Sequence, residues 1–507
     1  MKKIMLSAVS LVSVMMLATG CKGDTPKEEK KEEKTEAVSG ASEHTKLSLD
    51  ELKDSYDMVI VGAGGGGMAA AIQAKDMGMN PVIFEKMPVA GGNTVKASAG
   101  MNASGTKFQK EAGIEDTNDL FFEETLKGGK GTNDQDLLRH FVDSSSDAID
   151  WLDGMGITLN NLTTTGGMSV KRTHRPEDGS AVGQYLVDGL LRNVKEREIP
   201  LFTDADVKEI TESNGIVNGV KVTFDNKEDR TIKTDAVIVA TGGFGANLDM
   251  VTEYNKDLEG FVTTNQAGSQ GDGVKMIEKL GGATVDMKEI QIHPTVEQET
   301  SFLITEAVRG EGSILVSQEG KRFVNELETR DNVSAAIIGL DQPYAYLVFD
   351  AGVKERVKAI DFYEKSGLVK KGESLADLAK EMNVDVKTLE GTMDTWNKAV
   401  ADKKDAEFDR TTGMDHDLSK GPFYAIKIAP GIHHTMGGAK INAKTEVFTE
   451  DGKVIPGLFA AGEASGGLHG QNRIGGNAVA DIIIYGRESG KQAAELVQEL
   501  NKEEAAA

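Results

Sequence analysis

The sequence predicts an α/β fold: helices wound over a parallel sheet, with an α+β segment inserted late in the chain. Three observations carry this. Residues 57–86, DMVIVGAGGGGMAAAIQAKDMGMNPVIFEK, read as strand, glycine turn, helix and strand. Ala236-Val-Ile-Val-Ala-Thr-Gly-Gly243 is a second buried strand closing on glycines, and Lys453–Glu463 is a third strand, followed by a long helix from Gly475. Between them, residues 288–434 carry fewer small-residue helices and more strand-like runs, then the first style returns. Strands alternating with helices give parallel sheets, and a foreign stretch inside such a pattern is an insert.

The first unit is the most informative. Met58–Val61 is a short apolar strand feeding Gly62, Gly64 and Gly67, which have G-x-G-x-x-G spacing. Gly62 allows the tight turn, Gly64 lets a pyrophosphate approach the backbone, and Gly67 lets the helix pack close to the sheet. The helix, Met68 to about Met77, starts with free N–H groups facing the phosphates. The next strand, Pro81–Phe84, ends in Glu85, placed to accept hydrogen bonds from ribose hydroxyls and to repel a 2′-phosphate. The reading is a Rossmann-like dinucleotide domain.

Composition bounds the partners. Lys+Arg 57 against Asp+Glu 81 gives a net charge of -24 over 507 residues, long enough for two or three domains. That balance argues against nucleic acid and against charge-driven binding to an anionic membrane. It also requires that an anionic substrate be met by cations gathered locally. The single cysteine, Cys21, excludes an internal disulfide, a cysteine-ligated iron–sulfur cluster and a C-x-x-C-H haem site. The eight histidines show no zinc spacing, so no metal is expected.

In chain order, Met1–Cys21 has a basic start, the apolar run Ile4–Leu17 and small residues before the cysteine. It reads as an export signal rather than a spanning helix. It resembles a bacterial lipoprotein signal, which implies cleavage before Cys21, lipidation of its thiol and an extracytoplasmic, lipid-anchored protein. Residues 22–54 read as a disordered charged linker around KEEKKEEKTE. Within it, Glu36-Ala-Val-Ser-Gly-Ala-Ser42 resembles the motif used by bacterial flavin transferases, which implies covalent FMN on Ser42. Residues 115–158 look helical, Gly166–Arg175 reads as a polar loop, and Val207–Phe224 as a meander with Asn218-Gly219 at its hairpin. Ser374–Asp402 reads as a helical stretch, and the last helix runs to about Leu500.

Five longer motifs follow: Ile292-His-Pro294; Thr305-Glu-Ala-Val-Arg-Gly310; Lys321-Arg-Phe-Val-Asn-Glu-Leu-Glu-Thr-Arg-Asp331; His433-His-Thr-Met-Gly-Gly438; and His469-Gly-Gln-Asn-Arg-Ile-Gly-Gly476. They place arginines and histidines together in an acidic chain, as a dicarboxylate requires, since Arg forks bind carboxylates bidentately. With the dinucleotide unit, over residues 55–497, they resemble the succinate dehydrogenase/fumarate reductase flavoprotein superfamily, nearest its flavocytochrome c-type soluble fumarate reductases.

The resemblance implies a Rossmann-like FAD-binding domain (residues 55–287 and 435–500) with an inserted α+β capping domain (288–434) that clamps substrate. It implies non-covalent FAD on Gly62, Gly64, Gly67, Glu85, Gly92, Asn93, Thr94, Gly100, Met101, Asn102, Thr241, Gly242, His434, Glu463, Gly476, Asn477 and Ala478. It implies that His433 and Arg473 hold one substrate carboxylate, that His293 and Thr305 hold the other, and that Arg330 protonates the alkene, resupplied through Arg309 and Glu306. Hydride would come from reduced FAD, and electrons from an external donor, quinol-linked in the membrane or a flavin or cytochrome protein.

The chain departs from the pattern at Leu303-Ile304 and at Thr163-Thr-Thr165, where Met-containing sequence is common. Urocanate-type relatives tend to carry Tyr and Asp where this chain has His293 and Thr305, which favours a small dicarboxylate. Reduction of another 2-enoate (urocanate, methacrylate, acrylate or cinnamate) is the alternative, then a flavin lipoprotein that only relays electrons. A flavin dehydrogenase or oxidase running the opposite way, of the aspartate-oxidase or ketosteroid-dehydrogenase kind, is a further alternative, and the steroid enzyme ranks low, since it has no need of four cationic groups around the alkene.

Overall fold

In a computed structural model of the chain, residues 47–506 are described. Cys21 and Ser42, with the signal and most of the linker, lie outside the described residues. The last part of the stretch read as linker, Leu49–Glu51, forms a 3-10 turn capped by Ser48, and Leu49 and Leu52 pack on the core.

The predicted α/β architecture is present. A six-stranded sheet runs in the order 446–448, 454–460, 236–239, 58–61, 81–84, 201–202, parallel except at its first pair. Strand 58–61 is central and buried along its whole length, as a near-continuous apolar run in a parallel sheet should be. The helix Gly65–Asp76 starts three residues earlier than expected, straight out of the turn. Its partner is the terminal helix Asn477–Ala506, which continues past Leu500. Glycines set their separation: a Cβ on Gly486 would stand 2.6 Å from Gly66 O, and one on Gly490 2.2 Å from Ala70 O.

A second, antiparallel sheet joins 290–296, 423–435, 345–350 and 314–316. Its apolar core draws only on residues 304–428, apart from the core of the large sheet. The long strand Phe423–Thr435 carries His433 and His434 at its end, where Gln291 pairs with His434 and His293 with Gly431.

Three local expectations are corrected. The hairpin turns at Asn214–Gly215, whose φ values of 54° and 79° suit a two-residue turn, and Asn218–Gly219 lies inside the following strand. The segment Gly166–Arg175 ends in a buried strand, Thr173–Arg175, with Arg172 and His174 fully enclosed. Arg172 tolerates burial because Asp116 (2.6 Å) and Glu124 (2.5 Å) match its charge. His174 tolerates it by staying neutral, pushed down to about 4 by burial. The stretch 374–402 is two helices, Leu375–Met382 and Val386–Asp402, broken at the left-handed Asn383.

Candidate functional site

A cavity of about 750 Å³ is lined by Gly62, Gly64, Glu85, Gly92, Asn93, Thr94, Thr241, Gly242, His434, Glu463, Gly476 and Ala478, and also by Arg330, His433 and Arg473. The glycine turn and the cationic motifs, distant in sequence, therefore share one space.

The residues present fit a flavin dinucleotide. A Cβ on Gly64 would meet nothing nearer than Thr94 Oγ1 at 3.8 Å, and one on Gly242 nothing nearer than Ser269 Oγ at 3.9 Å, so both backbones border open space. Gly64 caps the helix 65–76 with no side chain of its own; Thr94 Oγ1 accepts from Gly65 N at 3.0 Å, and the rest of that helix start is left to an anion. Glu85 is fixed by accepting from Ala63 N and Met87 N, each at 2.9 Å. Burial pushes its carboxyl up despite those bonds.

Other cofactor candidates stand behind this wall. Gly67 abuts the turn itself. Gly100 lies against the small sheet, where a Cβ would meet His174 O at 2.5 Å. Asn102, beside Met101, donates to Gly475 O and to Asn477 Oδ1, both at 2.7 Å, and so fixes the loop that opens the terminal helix.

The cationic groups form a connected cluster. Arg330 grips Glu306 with Nε and Nη2, both at 2.9 Å, a bidentate fork. Arg309 donates to Glu306 Oε1 at 3.1 Å and to Glu326 O at 2.7 Å. Gln291 Oε1 accepts from Arg330 (3.0 Å) and from Arg473 (3.1 Å), joining the two guanidiniums. The rings of His293 and His433 meet edge-on with centroids 5.2 Å apart. His433 Nδ1 lies 2.7 Å from Thr264 Oγ1.

His293 and Thr305 are fully buried and off the cavity wall. Thr305 donates to Ser98 O at 3.2 Å, and Ser98 does line the cavity. His293 Nδ1 accepts from Thr295 N (3.3 Å), so its proton sits on Nε2, and that nitrogen is buried without a partner. Arg473 Nε is likewise unpartnered. Arg309 Nε is a third, and three buried donors without acceptors, in a cluster of three guanidiniums and one carboxylate, make a set in want of an anion.

Electrostatics agree. Burial, then Arg330, Arg309 and Arg473, hold His293 well below its ordinary range; burial and Arg330 do the same to His433. Burial lowers Arg473 to about 9. Burial alone would raise Glu306, but Arg330 and Arg309 outweigh it and bring the carboxyl down to about 2.

Three contributors were missed in the sequence. Gln291 precedes His293 by two residues on one strand, and period-2 spacing is the signal that points to it. Thr264, which braces His433, gave none. Nor did Arg410, which runs from Glu326 (3.0 Å) to Arg309 O (2.8 Å) and locks the back of the cluster.

A pH experiment tests the Glu306 pairing. A carboxyl at about 2 against an ordinary 4.5 stabilises the fold above pH 4.5, and that contribution fades as pH falls towards 2. Glu306→Gln, which strands buried guanidinium charge, should melt lower than the parent at pH 7. The gap should close across that acid window in scanning fluorimetry. A gap constant through the window would show that Glu306 is not held ionised.

A family model described as an FAD binding domain matches residues 57–479. The chain is 54% identical over 445 residues to the NADH:fumarate oxidoreductase of Klebsiella pneumoniae, covering 88% of this chain and 48% of that protein, so it spans about half of that relative's length. It is 44% identical over 442 residues to the fumarate reductase (cytochrome) of Shewanella frigidimarina, covering 87% and 77% of the two chains. The open conformation of a flavocytochrome c3 fumarate reductase superposes with a TM-score of 0.73 at 37% identity, covering 89% of this chain and 80% of that one. Among the described residues no group of three or more His, Cys, Asp or Glu is placed to hold a metal ion, and no helix is long and apolar enough to cross a membrane.

Proposed function

From the premise that the chain belongs to the FAD-binding, fumarate-reductase-type flavoproteins, oxidoreductases of CH–CH bonds, we propose that it reduces the alkene of a small unsaturated dicarboxylate, with fumarate as the leading candidate. The observation that carries this is the buried surplus of unpartnered donors, on cationic Arg473 and neutral His293 beside Arg330, in a chain of net charge -24.

FAD, when bound, supplies the hydride. The chain's residues do the rest. Arg473 and His433 hold one carboxylate, with Gln291 fixing the angle of the Arg473 fork. His293 Nε2–H and the Thr305 hydroxyl hold the other. Arg330 gives a proton from its guanidinium to the alkene carbon. A guanidinium is a weak acid, so the transfer needs immediate resupply: the ionised Glu306, in bidentate contact with Arg330, takes a proton from Arg309 and passes it on, and solvent reprotonates Arg309. Enclosure of these groups excludes water that would otherwise screen them.

The test is reoxidation of the dithionite-reduced protein. Fumarate should restore the oxidised flavin spectrum within the mixing experiment. No acceleration by fumarate, urocanate, acrylate, methacrylate or cinnamate would remove the reading, and acceleration by a monocarboxylate alone would replace the substrate class.

The N-terminal sequence supports a lipid anchor at Cys21 that places the enzyme outside the cytoplasm, and a flavin on Ser42 as the port for an external donor. Mass spectrometry of chain from a host with both modifying systems should find a lipid on Cys21 and an FMN-sized adduct on Ser42. An unmodified residue refutes the corresponding assignment.

A further inference from the structure

We infer that Lys96 and Lys358 form a cationic subsite at the mouth of the cavity, which captures the dianionic substrate and hands it inward to His433 and Arg473. The inference rests on the dicarboxylate reading above.

Both lysines line the cavity, from opposite bodies of the fold. Lys96 ends the 3-10 turn Gly92–Lys96 beside the glycine turn. Lys358 caps the helix Ala359–Lys365 in the inserted segment and is exposed. Lys96 is exposed on the cavity wall, and its ammonium makes one hydrogen bond, to Thr264 O at 3.1 Å. Among the described residues, no carboxylate forms an ion pair with it. An ammonium on the cavity wall with one neutral partner keeps donors free for a visiting anion.

Its position is specific. The carbonyl of Thr264 holds Lys96, while the hydroxyl of the same residue contacts His433 Nδ1 at 2.7 Å. One residue therefore ties the outer cation to the inner clamp.

The other charges along the wall are already committed. Lys86 pairs with Asp272. Asp481 faces His469 at 3.2 Å, and Glu463 accepts from Thr435 N at 3.0 Å. Among the described cations that line the cavity, Lys86 and Arg330 have a carboxylate partner, whereas Lys358, Lys96 and Arg473 form no ion pair. In a protein of net charge -24 the far field repels a dianion. A local focus in a low-dielectric cleft reverses that repulsion where it matters and raises the capture rate.

The measurement is steady-state turnover of the FAD-loaded enzyme with a reduced viologen donor. Lys96→Met keeps the stem and removes the charge. It should raise KM for fumarate by roughly five- to tenfold with kcat within about twofold, and flatten the fall of kcat/KM with ionic strength. Lys358→Met should have a smaller effect in the same sense, Lys96→Arg should restore the parent KM, and monoanionic acrylate should respond less than fumarate. The flavin spectrum and midpoint potential should not move.

An unchanged KM and salt slope in Lys96→Met would overturn the inference, as would a shifted flavin potential, which would place the ammonium on the cofactor instead. If the parent turns over fumarate and only the lysine effects are missing, the subsite alone fails. If the parent is not reoxidised by fumarate, the dicarboxylate reading fails and takes the subsite with it.

Discussion

Replacing Arg330 by Ala should abolish turnover while leaving a folded, FAD-loaded protein. General acid catalysis contributes about 10²–10⁴ in rate, and the loss should fall near the upper end because no other acid is in place. His293 and His433 are held neutral by burial and by neighbouring guanidiniums. Glu306 is held ionised by Arg330 and Arg309. The fold should survive because the buried carboxylate stays paired and its neighbour stays hydrogen-bonded: Glu306 keeps Arg309 at 3.1 Å, and Gln291 Oε1 keeps accepting from Arg473 at 3.1 Å. A bound flavin spectrum with kcat down by about three orders of magnitude is the expected pair of readings. Turnover within about tenfold of the parent would refute Arg330 as the proton donor.

Arg330→Lys sharpens the same experiment. The native contact uses Nε and Nη2 together on the two oxygens of Glu306, with Nη1 left for Gln291. An ammonium is a point charge and cannot hold three directions in one plane. Lysine keeps the charge but loses the geometry, so it should recover little of the rate. Full recovery by Lys would mean that charge alone is needed.

What was legible in the sequence divides by range. The first unit was readable because its signals are local: an apolar strand, glycines at fixed spacing and an acid at the end of the next strand all lie within residues 57–86. The cationic cluster was readable as a set of residues, because such a set is unusual in an acidic chain, but its wiring was not. Gln291 joins Arg330 and Arg473 through one carbonyl oxygen. No pattern of types along the chain reveals a partner 182 residues away. The Arg172 site failed for the same reason: its loop looked polar because the neutralising acids, Asp116 and Glu124, come from an earlier helical region. The misplaced hairpin is a different failure. Two Asn-Gly pairs lie four residues apart, and the choice between them is made by the register with strand 205–213, a tertiary fact.

The glycine turn bears the second large expected effect. Gly67→Ala should destabilise the protein by about 3 kcal/mol or more and strip it of FAD. A Cβ there would stand 2.0 Å from Gly62 O, well inside any real contact. Relief requires the turn or the helix to move, and neither has room. Gly62 sits at φ 106°, and its own Cβ position is 2.5 Å from Ala240 O, so the turn is pressed against the neighbouring strand end. On the other side, the helix 65–76 meets the terminal helix backbone to backbone: Gly66 O and Ala70 O occupy the places where side chains of Gly486 and Gly490 would be. Displacing the first helix by even part of an ångström therefore pushes on the helix whose start, at Gly476 and Ala478, lines the same cavity. The damage should reach both ends of the cofactor from a single methyl group. Gly78→Ala is the control: Gly78 has positive φ, 88°, unlike the helical Gly67, but nothing lies within 4 Å of its Cβ position. It should cost only about 1 kcal/mol of backbone strain and keep its flavin. Denaturant titration with flavin absorbance reads both quantities. Equal losses in the two variants would show that the approach of Gly67 to Gly62 O does not govern this turn.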